Sequence, residues 1–262
     1  MLKQRFVNVI GKHNYLRYIK PLNDLYHSAC VPFKGDGVKI IKRHLIPTGG
    51  TVLDIGANIG QFSAFAAPIV GKGGKVYAFE PVDSTVRTFK RMVAIRRLHH
   101  VRLVQTALSD SAGIADMNIP LKNGWKPQVT IAHLSDKAEV DMRIESVQLQ
   151  TLDGFCDTSA IERVDFIKCD TEGHEFFVFS GGLKTLAKHK SSIFYEIEKP
   201  YLERSNLPPS AVFGLLQKLG YQSYLPTAQG GLEPVAGYQM RANYFFLHPS
   251  KVSLDLAPQS PI

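Results

Sequence analysis

Apolar residues occur along the chain in two alternating rhythms. Short apolar runs predict buried strands over Val52–Ile55, Lys75–Glu80, Val101–Leu108, Val164–Cys169 and Ser192–Glu198. Between them, apolar residues three or four apart predict helices with one inward face. Examples are Phe62, Phe65, Ala66 and Ile69, then Val86, Phe89 and Val93, and later Val212, Leu215, Leu216 and Leu219. Gly71-Lys-Gly-Gly74 closes the first of these helices, Asp83 or Ser84 caps the second, and Pro208-Pro209 opens the third before Gly220. Shorter helices are expected over Leu152–Ile161 and from about Glu175 to Gly181-Gly182. Strand and helix alternating through short loops predict an α/β chain with a parallel, doubly wound sheet. Two last strands, Tyr221–Leu225 and Asn243–His248, flank a glycine-rich connection.

The rhythm breaks between Gly113 and Leu149, where alternating pieces predict an antiparallel β insertion with its tip at Lys122–Pro127. Val140, Met142 and Ile144 are apolar at even positions, then Val147 and Leu149 at odd ones. That change of parity predicts a bulge or break near Glu145-Ser146. His133, in the same stretch, reads as a surface histidine. Ahead of the first strand, Val38–Leu45 reads as a helix. Tyr15, Tyr18, Ile19, Leu22 and Tyr26 recur at roughly helical spacing, which would pack their segment on the domain, line a substrate mouth or touch a membrane surface. The expected organisation is an N-terminal extension over 1–37, a doubly wound domain over 38–249 containing the insertion, and a disordered tail over 250–262.

Composition changes this picture little. The 262 residues are 44% hydrophobic and 21% charged, enough for a full core, and no run approaches the eighteen apolar residues of a membrane-spanning helix. Charges interrupt the basic N-terminus too often for a signal-peptide core. Cys30, Cys156 and Cys169 show no metal-ligand spacing and no disulfide framework, so a reducing cytoplasm is expected. The net charge of +8 admits an anionic partner, whether nucleic acid, phosphorylated glycan or lipid surface, and equally serves solubility. Arg87, Lys90, Arg91, Arg96 and Arg97 share the outward face of one helix, as a solvated face or a binding patch.

Candidate chemistry gathers at the predicted strand ends, where a doubly wound sheet binds ligands. Gly56 and Gly60 bracket a strand-to-helix turn, with Ala57 and Asn58 between them, so a ligand can approach free backbone N–H groups. Asp54 precedes Gly56 by two positions; its charge would repel a pyrophosphate and attract a sulfonium. Asn58 also occupies the place of the second glycine of G-x-G-x-x-G. The turn therefore points to a nucleoside ligand with a positive charge, S-adenosylmethionine. Glu80 is placed to accept both ribose hydroxyls, and Asp110, with Ser109 beside it at the cofactor, to accept from an adenine amino group. Asp170, Glu172, His174 and Glu175 follow the fourth strand, and Glu196 and Glu198 end the fifth.

Leu53-Asp-Ile-Gly-Ala-Asn-Ile-Gly60, Phe79-Glu-Pro81, Ala107-Leu-Ser-Asp110, Thr151-Leu-Asp153 and Lys168-Cys-Asp-Thr-Glu-Gly-His-Glu175, in this order, resemble the FkbM-type methyltransferases. The resemblance covers roughly residues 38–225, and the Lys-x-Asp-x-Glu-Gly-x-Glu run is its most specific part. It implies the Rossmann-like class I methyltransferase fold, a seven-stranded sheet whose last hairpin adds one antiparallel strand, and a β insertion where this chain has one. It also implies S-adenosylmethionine and, commonly, O-methylation of hydroxyls on sugars or natural products.

Methyl transfer from a sulfonium is an in-line displacement with an activated donor, so orientation can supply ~7–11 kcal/mol of the barrier. An alcohol acceptor still sheds a proton, for which a general base typically adds about 10²–10⁴-fold. Asp170 is the leading base, with Glu172, His174 and Glu196 behind it; Glu172 and Glu175 read alternatively as caps of the helix that follows. Three carboxylates near one cleft suit a hard cation and no His/Cys cluster suits zinc, so no residue is assigned to a metal. A nicotinamide-dependent oxidoreductase on a related fold is the first rival, opposed by Asp54 and the missing glycine. A nucleic-acid methyltransferase is the second, opposed by the lack of an Asn/Asp-Pro-Pro-aromatic run after the fourth strand. A non-catalytic module that keeps the pocket is the third. Sugar, lipid-linked glycan, polyketide and peptide acceptors all stay open, as does peripheral membrane contact.

Overall fold

A computed structural model describes residues 11–35, 37–124, 126–134, 141–197, 207–208, 210–227, 230–239 and 243–251. The expectations placed on Trp125, Val140, Glu198, Pro209 and the tail from 252 lie outside the described residues. A helical turn at Lys12–Asn14 passes through a π-helical segment, Tyr15–Ile19, into α1 (Lys20–Cys30). Next come α2 (Val38–Ile40), extended by the π-helical Ile41–Leu45, then β1 (Thr51–Ile55), α3 (Gln61–Val70), β2 (Lys75–Phe79), α4 (Asp83–Ile95) and β3 (Val101–Val104). A second group holds β4 (Ala107–Ser109), β5 (Gly113–Lys122), β6 (Lys126–Pro127), β7 (His133–Leu134) and β8 (Met142–Thr151). The chain then returns through α5 (Leu152–Thr158), β9 (Phe166–Cys169), α6 (Glu175–Ser180), α7 (Leu183–His189) and β10 (Ser192–Glu196). Last are α8 (Ser210–Lys218), β11 (Gln222–Pro226), β12 (Leu232–Val235) and β13 (Asn243–Leu247).

The main sheet has the order β12-β11-β13-β10-β9-β1-β2-β3. The pairs β3–β2, β2–β1, β1–β9 and β9–β10 are parallel, whereas β13 lies antiparallel between β10 and β11. This is the class I methyltransferase sheet, with its expected antiparallel strand. An eighth strand, β12, forms in the glycine-rich connection and pairs with β11 at the edge, where Pro234 needs no ladder partner on its outer side. Both faces of the central strands are covered. Leu53, Ile55, Ile167, Cys169 and Tyr195 enter one core, and Val52, Val76, Phe166 and Phe194 the other. Burial on both faces explains the unbroken apolar runs.

Four expectations need correction. The third strand is two strands. β3 stops at Val104, the Thr106 N–H turns back to the Val104 carbonyl at 3.0 Å, and the Thr106 hydroxyl donates to the Gln148 carbonyl at 2.9 Å. This hands β4 to β8 in the second sheet, of order β4-β8-β5-β6 with β7 on β5. There is also no bulge at Glu145-Ser146, because β5 and β8 pair residue for residue from Gly113–Leu149 to Pro120–Met142. The parity change marks two usable faces: Met117, Ile119 and Val147 pack inward with Val82 and Ala107, while Ile114 and Ile144 face out. His133 is only 2% exposed, beside buried Asn118, and is no surface histidine. Finally, the N-terminal stripe divides. Tyr15 is buried and Leu25, Ala29 and Phe33 pack on the core, but Tyr18, Leu22 and Tyr26 face outward. The helix α7 was not anticipated. Among the described residues, no helix is long and apolar enough to cross a membrane.

Candidate donor and active site

The site arises where one face of the central strands stops being apolar. On β2 the sequence Val76, Ala78 leads to Glu80; on β1 Val52 leads to Asp54; on β9 Phe166 leads to Lys168 and Asp170; on β10 Phe194 leads to Glu196. Asp54 is in register with both Ala78 and Lys168, and Lys168 with Phe194, so the charges form a row across the carboxyl ends of the strands. Charges this deep persist only when paired and hydrogen-bonded.

Lys168 makes those pairings. Its buried ammonium donates to Asp170 Oδ2 at 2.9 Å and to the Gly56 carbonyl at 3.1 Å, and lies 4.0 Å from Asp54 Oδ1. Burial alone would lower its pKa, but Asp170 and Asp54 outweigh that and hold it above the usual lysine range. Asp54 is wholly buried, and burial raises its carboxyl, offset in part by Lys168 and by the Ser63 hydroxyl donating at 2.6 Å. Neither Lys168 nor Ser63 was singled out by the sequence reading. The signal for Lys168 was available: a cation in the middle of a strand whose neighbours are all apolar.

The turn after β1 is held from two sides, by Glu80 and by Ser28. Glu80 accepts the Asn58 N–H on Oε2 and the Val82 N–H on Oε1, each at 2.9 Å. Asn58 has a left-handed backbone, φ 49°, that aims its N–H at this carboxylate. Burial pushes the Glu80 carboxyl up to about 7, with the two backbone N–H groups opposing it. Ser28 of α1 donates its hydroxyl to the Ile59 carbonyl, so the N-terminal helix braces the turn from outside.

Gly56 has φ 74°, and a Cβ there would sit 1.8 Å from the Asp170 carbonyl oxygen. The glycine lets the β1 and β9 loops touch, which the sequence reading had credited to ligand approach. Gly56→Ala is expected to lose roughly 2–5 kcal/mol, from left-handed strain of ~1–2 and a backbone clash of ~1–3. Urea unfolding would check it, and a loss under 1 kcal/mol would mean that the loops part freely.

Beyond β9, Glu175 accepts the Thr171 N–H at 2.8 Å and the Gly173 N–H at 3.2 Å on one oxygen, which fixes the loop around left-handed Glu172, φ 58°. Glu175 thus ties down the loop ahead of α6 rather than capping the helix, whose N-cap residue, His174, makes no side-chain cap bond. The His174 ring nitrogen Nε2 is 2.9 Å from the Ser109 hydroxyl, and the ring stacks on Phe177 with centroids 4.7 Å apart.

These loops wall a cleft of about 620 Å³, counted to its open mouth. Of the residues singled out from sequence, Gly56, Asn58, Glu80, Asp170, Glu172 and His174 line it. Asp54 lies buried behind the turn, Ala57 and Gly60 belong to the turn without lining the cleft, Ser109 sits under His174, and Glu196 stands at the β10 end. Asp110 is exposed after β4, and its Oδ1 accepts the Ser109 and Ser111 hydroxyls. The opposite wall is apolar and comes partly from the insertion: Met117, Val129, Ala132 and Leu134 face Phe79 and Val82. Three buried polar atoms here, Asn58 Oδ1, Thr171 Oγ1 and Asp54 Oδ1, have no hydrogen-bond partner. Among the described residues no group of three or more His, Cys, Asp or Glu could hold a metal ion.

Solved structures of similar fold include the methyltransferase FkbM of Methylobacillus flagellatus, at 16% identity and TM-score 0.48 over 76% of this chain. This chain spans 44% of the length of that protein. An S-adenosylmethionine-dependent O-methyltransferase of Thermotoga maritima matches at 14% identity and TM-score 0.41, over 80% of this chain and 63% of the other. The fibrillarin of Aeropyrum pernix, with natively bound S-adenosylmethionine, matches at 11% identity and TM-score 0.44, over 80% and 72%. A comparison with curated protein sequences finds no match. The sequence model of the methyltransferase FkbM domain matches residues 54–223, well over half of the chain, which shows that the chain belongs to the FkbM methyltransferase family.

Proposed function

We propose that the protein transfers a methyl group from S-adenosylmethionine to a hydroxyl of a sugar, glycan or natural product, with the catalytic domain at 38–249. The observation that carries this reading is Asp170, half-buried in the cleft wall and fixed by Lys168 beside the Gly56 turn. When bound, the cofactor supplies a sulfonium methyl poised for in-line displacement. Glu80 accepts the ribose hydroxyls, Gly56 to Gly60 seat the amino-acid end over the negative potential of Asp54, and Ser109 with Asp110 borders the adenine. Asn58 Oδ1 and Thr171 Oγ1, in residues that line the cleft and without a hydrogen-bond partner, suit a polar ligand that supplies what they lack. The apolar wall from the insertion suits a flat base. Asp170 takes the acceptor's proton as the new bond forms, while Glu172, His174 and Glu196 orient the acceptor. Three free cysteines fit a reducing compartment, the cytoplasm.

Thermal protection by S-adenosylmethionine or S-adenosylhomocysteine, with labelled donor and cell extract to reveal the product, tests the reading. Protection by NAD alone would overturn it.

Glu80 gives the reading a pH signature. Its carboxyl is raised from 4.5 to about 7, so its contribution to stability is fully present below about 4.5 and is lost as pH rises through about 7. Ribose hydroxyls donate to the ionised form. S-adenosylhomocysteine affinity should therefore fall as pH drops below about 7, approaching tenfold per unit, with proton release on binding. Calorimetry in two buffers of different ionisation heat measures both. Equal affinity at pH 5.5 and 8 would remove Glu80 from the ribose.

A further inference from the structure

A second cleft, of about 900 Å³ counted to its open mouth, lies between the N-terminal helical segment, α4 and the insertion. Arg17, Lys20, Arg87, Arg91 and Arg143 line it. Lys20 is paired with Asp24 and Arg143 with Glu145, while Arg87 stays 3.8 Å from Asp83 with both side chains exposed. Among the described residues, no carboxylate lies within 4 Å of Arg17 or Arg91. A concave surface with this excess of guanidinium favours a compact anion, and phosphate matches the guanidinium fork. The first turn of α4 contributes Ser84 to the same cleft.

Two further features give the anion an address. The cleft adjoins the donor cleft: Val82 lines one and Ser84 the other, and likewise Val129 and Pro127. The helical segment that supplies Arg17 and Lys20 also carries Tyr18, Leu22 and Tyr26, which are 53%, 64% and 60% exposed. Spaced four apart, they form one outward stripe, and the Arg17 guanidinium lies 5.3 Å over the Tyr18 ring. Tyrosines and a leucine flanked by cations are what an interfacial helix presents to an anionic bilayer.

We propose that this stripe seats on an anionic membrane surface and that the arginine cleft takes a lipid-borne phosphate, bringing a lipid-linked acceptor to the donor cleft. Only the last clause rests on the methyl-transfer reading.

The test uses the full chain with vesicles of phosphatidylcholine alone or with one-fifth phosphatidylglycerol, read by co-sedimentation at low and high salt. Binding is expected to the mixed vesicles only, and to weaken with salt. Arg87→Glu with Arg91→Glu should reduce it about tenfold or more, and Leu22→Ser with Tyr26→Ser by a similar factor. Both variants should keep the thermal protection by S-adenosylhomocysteine, which shows them folded. Three results would overturn the proposal: no vesicle binding, even with stabilisation by inorganic phosphate; equal binding to neutral vesicles; or binding unaffected by the arginine reversals. A chain that binds vesicles but no S-adenosylhomocysteine would count against the donor site alone.

Discussion

Lys168→Met is expected to lower the stability of the fold by about 3–5 kcal/mol, the cost of breaking a buried ion pair from one side. The methionine fills much of the lysine's volume, so the loss is electrostatic. Asp54, wholly buried and without a hydrogen bond on Oδ1, would lose the Lys168 charge beside that oxygen and keep only the Ser63 hydroxyl, and the Gly56 carbonyl would lose its donor. The pH dependence gives the cause away. In the natural chain Lys168 is raised, so its contribution is fully present below the ordinary lysine pKa of about 10.5 and is lost only in strong alkali. In the variant, Asp54 is raised further, so stability should recover as pH falls through the carboxylate range. Adding Asp54→Asn to Lys168→Met should restore part of the loss at neutral pH, because the charge left behind is removed too. Urea midpoints at several pH values decide the matter; a variant within 1 kcal/mol of the parent at pH 7 would show that Lys168 is not holding the row of charges together.

That row also shows what the sequence could and could not convey. Central strands were legible because burial on both faces leaves continuous apolar runs, and Asp54 and Glu80 because each interrupts such a run at its end. Lys168 was quoted within the Lys-x-Asp-x-Glu-Gly-x-Glu run yet given no task, since two of its partners, Asp54 and Gly56, lie more than a hundred residues away and only the sheet register brings them beside it. The long third strand was misread for a related reason. Gln105 and Thr106 interrupt the apolar pattern between Val104 and Ala107, but that the chain leaves the sheet there depends on Thr106 finding the Gln148 carbonyl 42 residues away. The insertion was recognised as β structure, but its place as the apolar wall of the cleft follows from β5 and β7 packing over Val82, which no local pattern encodes. Likewise, helical spacing in the N-terminal segment could not say which side of the stripe faces the core.

Asp170→Asn carries the other large effect, a fall in kcat of about 10²–10⁴ with little change in donor affinity. The asparagine keeps the shape and an oxygen acceptor for the Lys168 ammonium, so the contact now at 2.9 Å can persist and stability should stay within about 1 kcal/mol, as for a half-exposed isosteric change. What it loses is the capacity to take a proton from the acceptor hydroxyl. Glu80→Ala is the contrasting variant: it strands the Asn58 and Val82 N–H groups and should weaken S-adenosylhomocysteine binding by tenfold or more, about 1.4 kcal/mol. The two variants thus separate binding from chemistry. Calorimetric Kd for S-adenosylhomocysteine and turnover with the identified acceptor would be measured on both. If Asp170→Asn lost donor affinity as severely as Glu80→Ala, Asp170 would be a wall of the donor site and the proton would have to leave elsewhere. Turnover within threefold of the parent would argue that the acceptor loses its proton to solvent after transfer, leaving positioning as the source of the rate.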